Sequence, residues 1–122
     1  IGKGELMAAR IGVKLLNGYD VPATSTVAYT VPTNLNRVVV SSFFVINRDS
    51  SARTLTIWVV SSVQTQANEH KCYINKEIGA ENTVSLEEMI DFPLNVGDNL
   101  YVQASSANSL ALNLGVTTFP AE

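Results

Sequence analysis

The stretch Arg37-Val38-Val39-Val40-Ser41-Ser42-Phe43-Phe44-Val45-Ile46-Asn47 constrains this chain most. Its β-branched and aromatic residues are those of a strand. A strand sends alternate side chains to opposite faces. Val38, Val40, Ser42, Phe44 and Ile46 are therefore expected on one face, and Val39, Ser41, Phe43 and Val45 on the other. Both faces are apolar, whereas a strand at a sheet surface would show a polar side. The segment predicts a central strand, with a core on one face and something else covering the second.

The rest of the chain reads as strands added around it. Before it, Arg10 to Leu16 alternates with Ile11, Val13 and Leu15 inward, and Asn17-Gly18 follows as a turn dipeptide. Val27, Tyr29 and Val31 share a face until Pro32, which cannot donate to a ladder. After it, Arg48 to Ala52 reads as a hairpin loop. Arg53 to Val60 then returns beside the central strand, with Leu55, Ile57 and Val59 inward and Thr54, Thr56, Trp58 and Val60 outward. Residues 61–70 are a polar loop or one helical turn. Cys72, Ile74 and Ile78 define one face of the next strand, and Thr83 to Leu86 begins another. Glu87 to Phe92 fits a short helical turn or an irregular crossing, ended by Pro93. Leu100, Val102 and Ala104 point inward from one late strand, and Leu110, Leu112, Leu114 and Val116 from the last, joined by a hairpin loop at 105–108.

About eight short strands at near-regular spacing, with no long amphipathic helix and no internal repeat, predict an all-β fold: an antiparallel β-sandwich, jelly-roll-like. The expected core includes Val38, Val40, Phe44, Ile46, Leu55, Ile57, Val59, Leu100, Val102, Leu110, Leu112 and Leu114. Residues 1–8 lack the apolar content to order themselves and read as a flexible N-terminal arm, with 9–122 as a single sandwich domain.

Net charge and cysteine usage narrow the function. The formal charge is −3 and the eight Lys and Arg are scattered. That argues against direct binding to nucleic acid or an anionic membrane, because both need a concentrated basic face. No apolar run approaches the roughly 20 residues of a membrane span, and the first residues lack the apolar stretch of a secretion signal. One cysteine excludes an internal disulfide framework. Charged residues make up only 16%, against roughly 25% in a typical soluble chain; such a surface suits a subunit partly covered by neighbours.

No constellation for catalysis emerges. His70 and Cys72 lie two apart at a strand start, and a nucleophile pair needs the two side chains to meet. A surface histidine and a core-facing cysteine is the simpler reading. Glu87, Glu88 and Asp91 form an acidic cluster without the regular Asp/Asn and Gly spacing of a calcium loop. No catalytic, cofactor-binding or metal-binding residue is assigned, and no cofactor is expected.

Two motif groups carry a resemblance. The first is Thr26-Val27-Ala28-Tyr29-Thr30-Val31-Pro32-Thr33-Asn34, leading into Arg37 to Val40 and then Phe44-Val45-Ile46-Asn47. The second is Phe92-Pro93-Leu94, Val96-Gly97-Asp98, Leu100 and Val102-Gln103-Ala104-Ser105, followed by a last strand after Ala107-Asn108. In order and spacing they resemble a family of small virion structural proteins of tailed bacteriophages, over roughly residues 20–117; the Arg10–Asn17 strand falls outside the match. The resemblance implies a non-enzymatic β-sandwich located in the virion. It would oligomerise and dock on the major capsid protein or on neck or tail proteins, with capsid decoration favoured. The alternative is a receptor- or carbohydrate-binding module of a tail fibre.

Association is expected through one patch. If the Arg48–Ala52 loop closes a hairpin, Phe43, Val45, Trp58 and Val60 lie together on the face opposite the core. Exposing such a patch would forfeit about 25 cal/mol per Å². A closed ring covers it most simply; the resemblance to capsid-associated sandwiches implies a trimer as the expected homo-oligomer, with Trp58 as an anchor.

Overall fold

The computed structural model describes residues 11–120. Two antiparallel sheets pack face to face. Sheet I has the order β1 (Ile11–Asp20), β9 (Leu110–Pro120), β3 (Leu35–Asn47), β6 (Thr83–Ser85), with β7 (Pro93–Asn95) also on β3. Sheet II has the order β2 (Thr26–Thr30), β8 (Asn99–Ala104), β4 (Arg53–Val60), β5 (Lys71–Ile78). Two 3-10 turns, Asn68–His70 and Glu87–Met89, are the helical content among the described residues. Of consecutive strands, only β4 and β5 are hydrogen-bonded neighbours; the chain otherwise crosses between sheets or skips within one. With β6 and β7 counted as one interrupted strand, this is the connectivity of a jelly roll.

Two expected hairpins are therefore crossovers. The Arg48–Ala52 loop carries the chain from β3 in sheet I to β4 in sheet II, and residues 105–109 carry it back from β8 to β9. β3 is central, as its composition demands, but its neighbours are β9 on one side and β6 and β7 on the other.

The register of β3 on β9 slips near its start, between Leu35 and Arg37, and again inside its apolar stretch. Val38 and Val40 face the intersheet core, and the register slips between Val40 and Ser42. Beyond the slip, Phe43 and Val45 are buried at 1% and 0% exposure, while Phe44 and Ile46 are half-buried on the outside. This is a β-bulge, where one extra residue shifts every later side chain to the other face. Its causes are visible on both flanks. Gly115 stands opposite, and a Cβ there would come within 2.6 Å of Ser42 Oγ. On the other flank β6 and β7 are interrupted by the second 3-10 turn, so Leu86 N–H donates to the Phe43 carbonyl (2.8 Å) and Asp91 N–H to that of Val40 (2.7 Å). The expected core positions of Phe44 and Ile46 are thus taken by Phe43 and Val45.

Similar slips explain the other departures. Asn17-Gly18 does not turn the chain; Gly18, at φ +75°, sits in an irregularity within β1. A slip at Ala28 leaves Val27 exposed, and one in β5 buries Tyr73 and leaves Ile74 65% exposed. Where no slip intervenes, alternation holds: Leu100, Val102 and Ala104 of β8 and Leu110, Leu112, Leu114 and Val116 of β9 are all buried. Leu55 and Ile57 of β4 are fully buried, and Val59 is half-buried against the core.

Asn47 pins the two sheets where β3 ends. At 1% exposure, its Nδ2 donates to the carbonyls of Ser51 (2.9 Å), Ile78 (3.0 Å) and Gly79 (3.2 Å), and its Oδ1 accepts from Asp49 N–H (2.9 Å). A buried amide so satisfied fixes the crossover to β4 against the end of β5. The expected arm, residues 1–8, lies outside the described residues.

Candidate association face and outer sheet surfaces

The four residues expected to form one patch are not together on a surface. Phe43 and Val45 are in the intersheet core, while Trp58 and Val60 lie in the other sheet, buried at 7% and 1% exposure. The reason is topological: β3 and β4 do not pair, and the β3 bulge exchanges its faces.

What the outer face of sheet I does carry is Phe44 and Ile46, half-buried, with Val39 farther along β3 on the same face. Beside Phe44 is a shallow depression lined by Ser42, Phe44, Thr83, Ser85, Glu87 and Ile90. On β9, Asn113 stands directly opposite Phe44. Its Oδ1 accepts from Gly18 N–H at 3.1 Å, but its Nδ2 is buried without a hydrogen-bond partner among the described residues. At the far end, Arg37 lies over the Phe119 ring, 4.2 Å from its centroid. Large apolar side chains of a central strand on a solvent-side face, here Phe44 and Ile46, are what an association surface needs. A period-two reading could not find them, because the bulge is what turns them outward; the adjacent serines at 41 and 42 were the available signal.

The outer face of sheet II differs. Its β4 row is Thr54, Thr56 and Trp58, flanked by Tyr101 and Gln103 of β8. Lys71 Nζ lies 5.6 Å from the Trp58 ring centroid, a cation–π contact that covers the indole from within the same chain.

Of the titratable groups singled out from the sequence, His70 and Glu88 have local structural partners and Cys72 is half-buried. His70 Nδ1 accepts from Ala67 N–H at 3.1 Å, while His70 N–H donates to the Ala67 carbonyl at 3.0 Å, closing the first 3-10 turn. Cys72 is half-buried, and burial pushes its thiol pKa up, which disfavours the reactive thiolate. Tyr73 O–H donates to Glu88 Oε1 across the side of the sandwich. That hydrogen bond holds the Glu88 carboxyl below its ordinary pKa, while burial, reinforced by the carboxylate, holds the Tyr73 phenol well above its own. Asp49 accepts from Arg53 Nε (2.9 Å) and Nη2 (2.6 Å), which lowers its pKa. Among the described residues, no three His, Cys, Asp or Glu side chains gather as a metal site would require.

No family model matches this chain, and no curated protein does. Among solved structures it is similar to a chain of the Bacillus endospore appendages, described as forming a novel family of disulfide-linked pili. That match has a TM-score of 0.56 at 11% identity and covers 93% of this chain and 90% of that one. At this identity the likeness is one of fold.

Proposed function

We propose that this chain is a non-enzymatic structural subunit of a tailed-phage virion, one that self-associates and docks on a capsid, neck or tail protein, with capsid decoration favoured. The observation that carries the reading is the outer face of sheet I, where the central strand presents Phe44 and Ile46 beside an apolar-floored depression. A ring of copies, with a trimer as the favoured closure, would cover this face. Weak surface charge offers little repulsion against such packing. The motif resemblance supplies the virion setting, and a similar fold serves in an assembled appendage elsewhere. That appendage is described as disulfide-linked, whereas this sequence holds one cysteine, half-buried. The association proposed here is therefore non-covalent.

The test is to image purified particles of the phage encoding this chain, using gold-labelled antibody raised against the folded protein. Label in a regular pattern over the capsid supports decoration, and label at the neck or tail supports a virion role at another position. Particles that carry no label, and no peptide of this chain by mass spectrometry, would overturn the reading.

A further inference from the structure

A second feature, independent of the proposed virion role, lies on the outer face of sheet II. Trp58 and Val60 alternate with Ile57 and so point away from the intersheet core, yet they are 7% and 1% exposed and stand outside the core cluster. Lys71 covers part of the indole, but Val60, at the end of β4, needs another cover. The segment 61–70, which joins β4 to β5, supplies it. Its path follows from its contacts. It leaves β4 after Val60, and Gln66 Nε2 donates to Ser25 Oγ at 2.7 Å, beside the start of β2. It then returns to Lys71, which pairs with Trp58. β8 lies between β4 and β2 in the sheet. The segment therefore runs out over β8 and back across the outer face, because the inner face is filled by the packed core. Gln66, Ala67 and His70 are half-buried, whereas residues 62–65 and Glu69 are exposed.

Both ends of the segment are stiff. Gln64 N–H donates to the Ser61 carbonyl at 3.1 Å, and Gln64 Oε1 accepts from Ser61 N–H at 3.4 Å. That turn rests on Gly97, where a Cβ would come within 2.8 Å of the Ser62 Cβ. At the other end, Ala67 and His70 close the first 3-10 turn through their two mutual hydrogen bonds. Between the ends the attachment is thin. Among the described residues, Gln66 to Ser25 is the one hydrogen bond from this segment to the rest of the chain, and it is exposed to solvent. Segments held by few contacts and exposed bonds are those that open locally while the core stays folded.

We propose that residues 61–70 are a strap that opens at the Gln66–Ser25 tether while the sandwich stays folded, and so makes the apolar surface of sheet II conditional. Closed, the strap keeps Trp58 and Val60 from water, and their burial favours that state. Open, it swings on its two turns and uncovers them beside Tyr101, which pairs with Trp58 on β8. Opening breaks one neutral hydrogen bond and leaves both sheets intact. Its equilibrium should therefore respond to either partner of the tether, and to both together no more than to one.

Trp58 is the sole tryptophan, so its fluorescence reports on the strap. Acrylamide quenches an indole that it can touch, and a ring this buried is reached through opening. Gln66→Ala and Ser25→Ala should each raise the quenching constant about fivefold, the factor for the loss of one neutral hydrogen bond. The double variant should match the single ones, because both substitutions remove the same bond. In the unmutated protein the constant should stay flat as urea rises below the unfolding transition, since a local opening exposes little of the surface that global unfolding does. Circular dichroism confirms that the variants keep the sandwich. Quenching that neither substitution alters, that multiplies in the double variant, or that climbs with urea alongside global unfolding would overturn the inference. At low protein concentration association through sheet I does not contribute, so either proposal can fail without the other.

Discussion

β9 and β3 run side by side through the centre of sheet I, yet they use their side chains differently. β9 keeps one alternation, with Leu110, Leu112, Leu114 and Val116 all inward. β3 changes phase at Ser41-Ser42, giving Val38, Val40, Phe43 and Val45 to the core and Phe44 and Ile46 to the outside. A strand with constant phase serves one layer, whereas a bulged strand can anchor the core and still offer large apolar side chains to a partner. The difference lies in a single extra residue, accommodated because Gly115 has no side chain and the strand on the other flank is interrupted.

The sharpest contrast within β3 is between its adjacent phenylalanines. Phe43→Ala should lose about 3–5 kcal/mol, the range for a large-to-small change in a packed core. Phe44→Ala, half-buried on the outer face, should lose only about 1 kcal/mol. Urea denaturation at low protein concentration measures both, and equal losses would break the assignment of faces. The two buried asparagines extend the comparison. Asn47→Ala leaves the buried carbonyl of Ile78 without its side-chain donor and should cost about 2–3 kcal/mol. Asn113→Ala removes the single bond that its Oδ1 accepts from Gly18 N–H, together with an Nδ2 that has no partner among the described residues, so its cost should be smaller, about 1 kcal/mol.

The bulge itself can be probed next. Gly115→Ala places a Cβ against Ser42 Oγ and should cost roughly 1 kcal/mol, with Ser42→Ala recovering most of that in the double variant. Additive losses would mean that the two positions are not packed together. A smaller effect is expected at high pH. The Tyr73 phenol has a folded pKa raised above its ordinary 10.0 by burial and by Glu88. Its contribution is complete below about pH 10 and is lost as the pH rises from there toward the folded value, because the unfolded chain ionises first. Melting temperatures taken between about pH 9 and pH 11 should fall less steeply in Tyr73→Phe than in the unmutated protein.

These contrasts also mark what was legible in the sequence. The all-β class and the central place of Arg37–Asn47 follow from composition and period alone. So do the inward rows of β4, β8 and β9, whose alternation runs unbroken through the core. The faces of β1, β2, β5 and the second half of β3 were not legible, because a bulge adds a residue without changing the character of the strand. Sheet membership was hidden for a different reason: a short polar loop reads alike whether it closes a hairpin or crosses between sheets. That ambiguity, compounded by the bulge, placed Phe43, Val45, Trp58 and Val60 on one surface. The structure instead buries all four and turns Phe44 and Ile46 outward.

The central claim is that the outward half of β3 drives association. Sedimentation equilibrium of the unmutated protein and of Phe44→Asp, over a range of concentrations and with or without reductant, tests it most directly. The account predicts a concentration-dependent oligomer, with a trimer as its favoured form, unchanged by reductant and reduced to a folded monomer by Phe44→Asp. A monomer at every concentration, or an oligomer indifferent to Phe44→Asp, would contradict it.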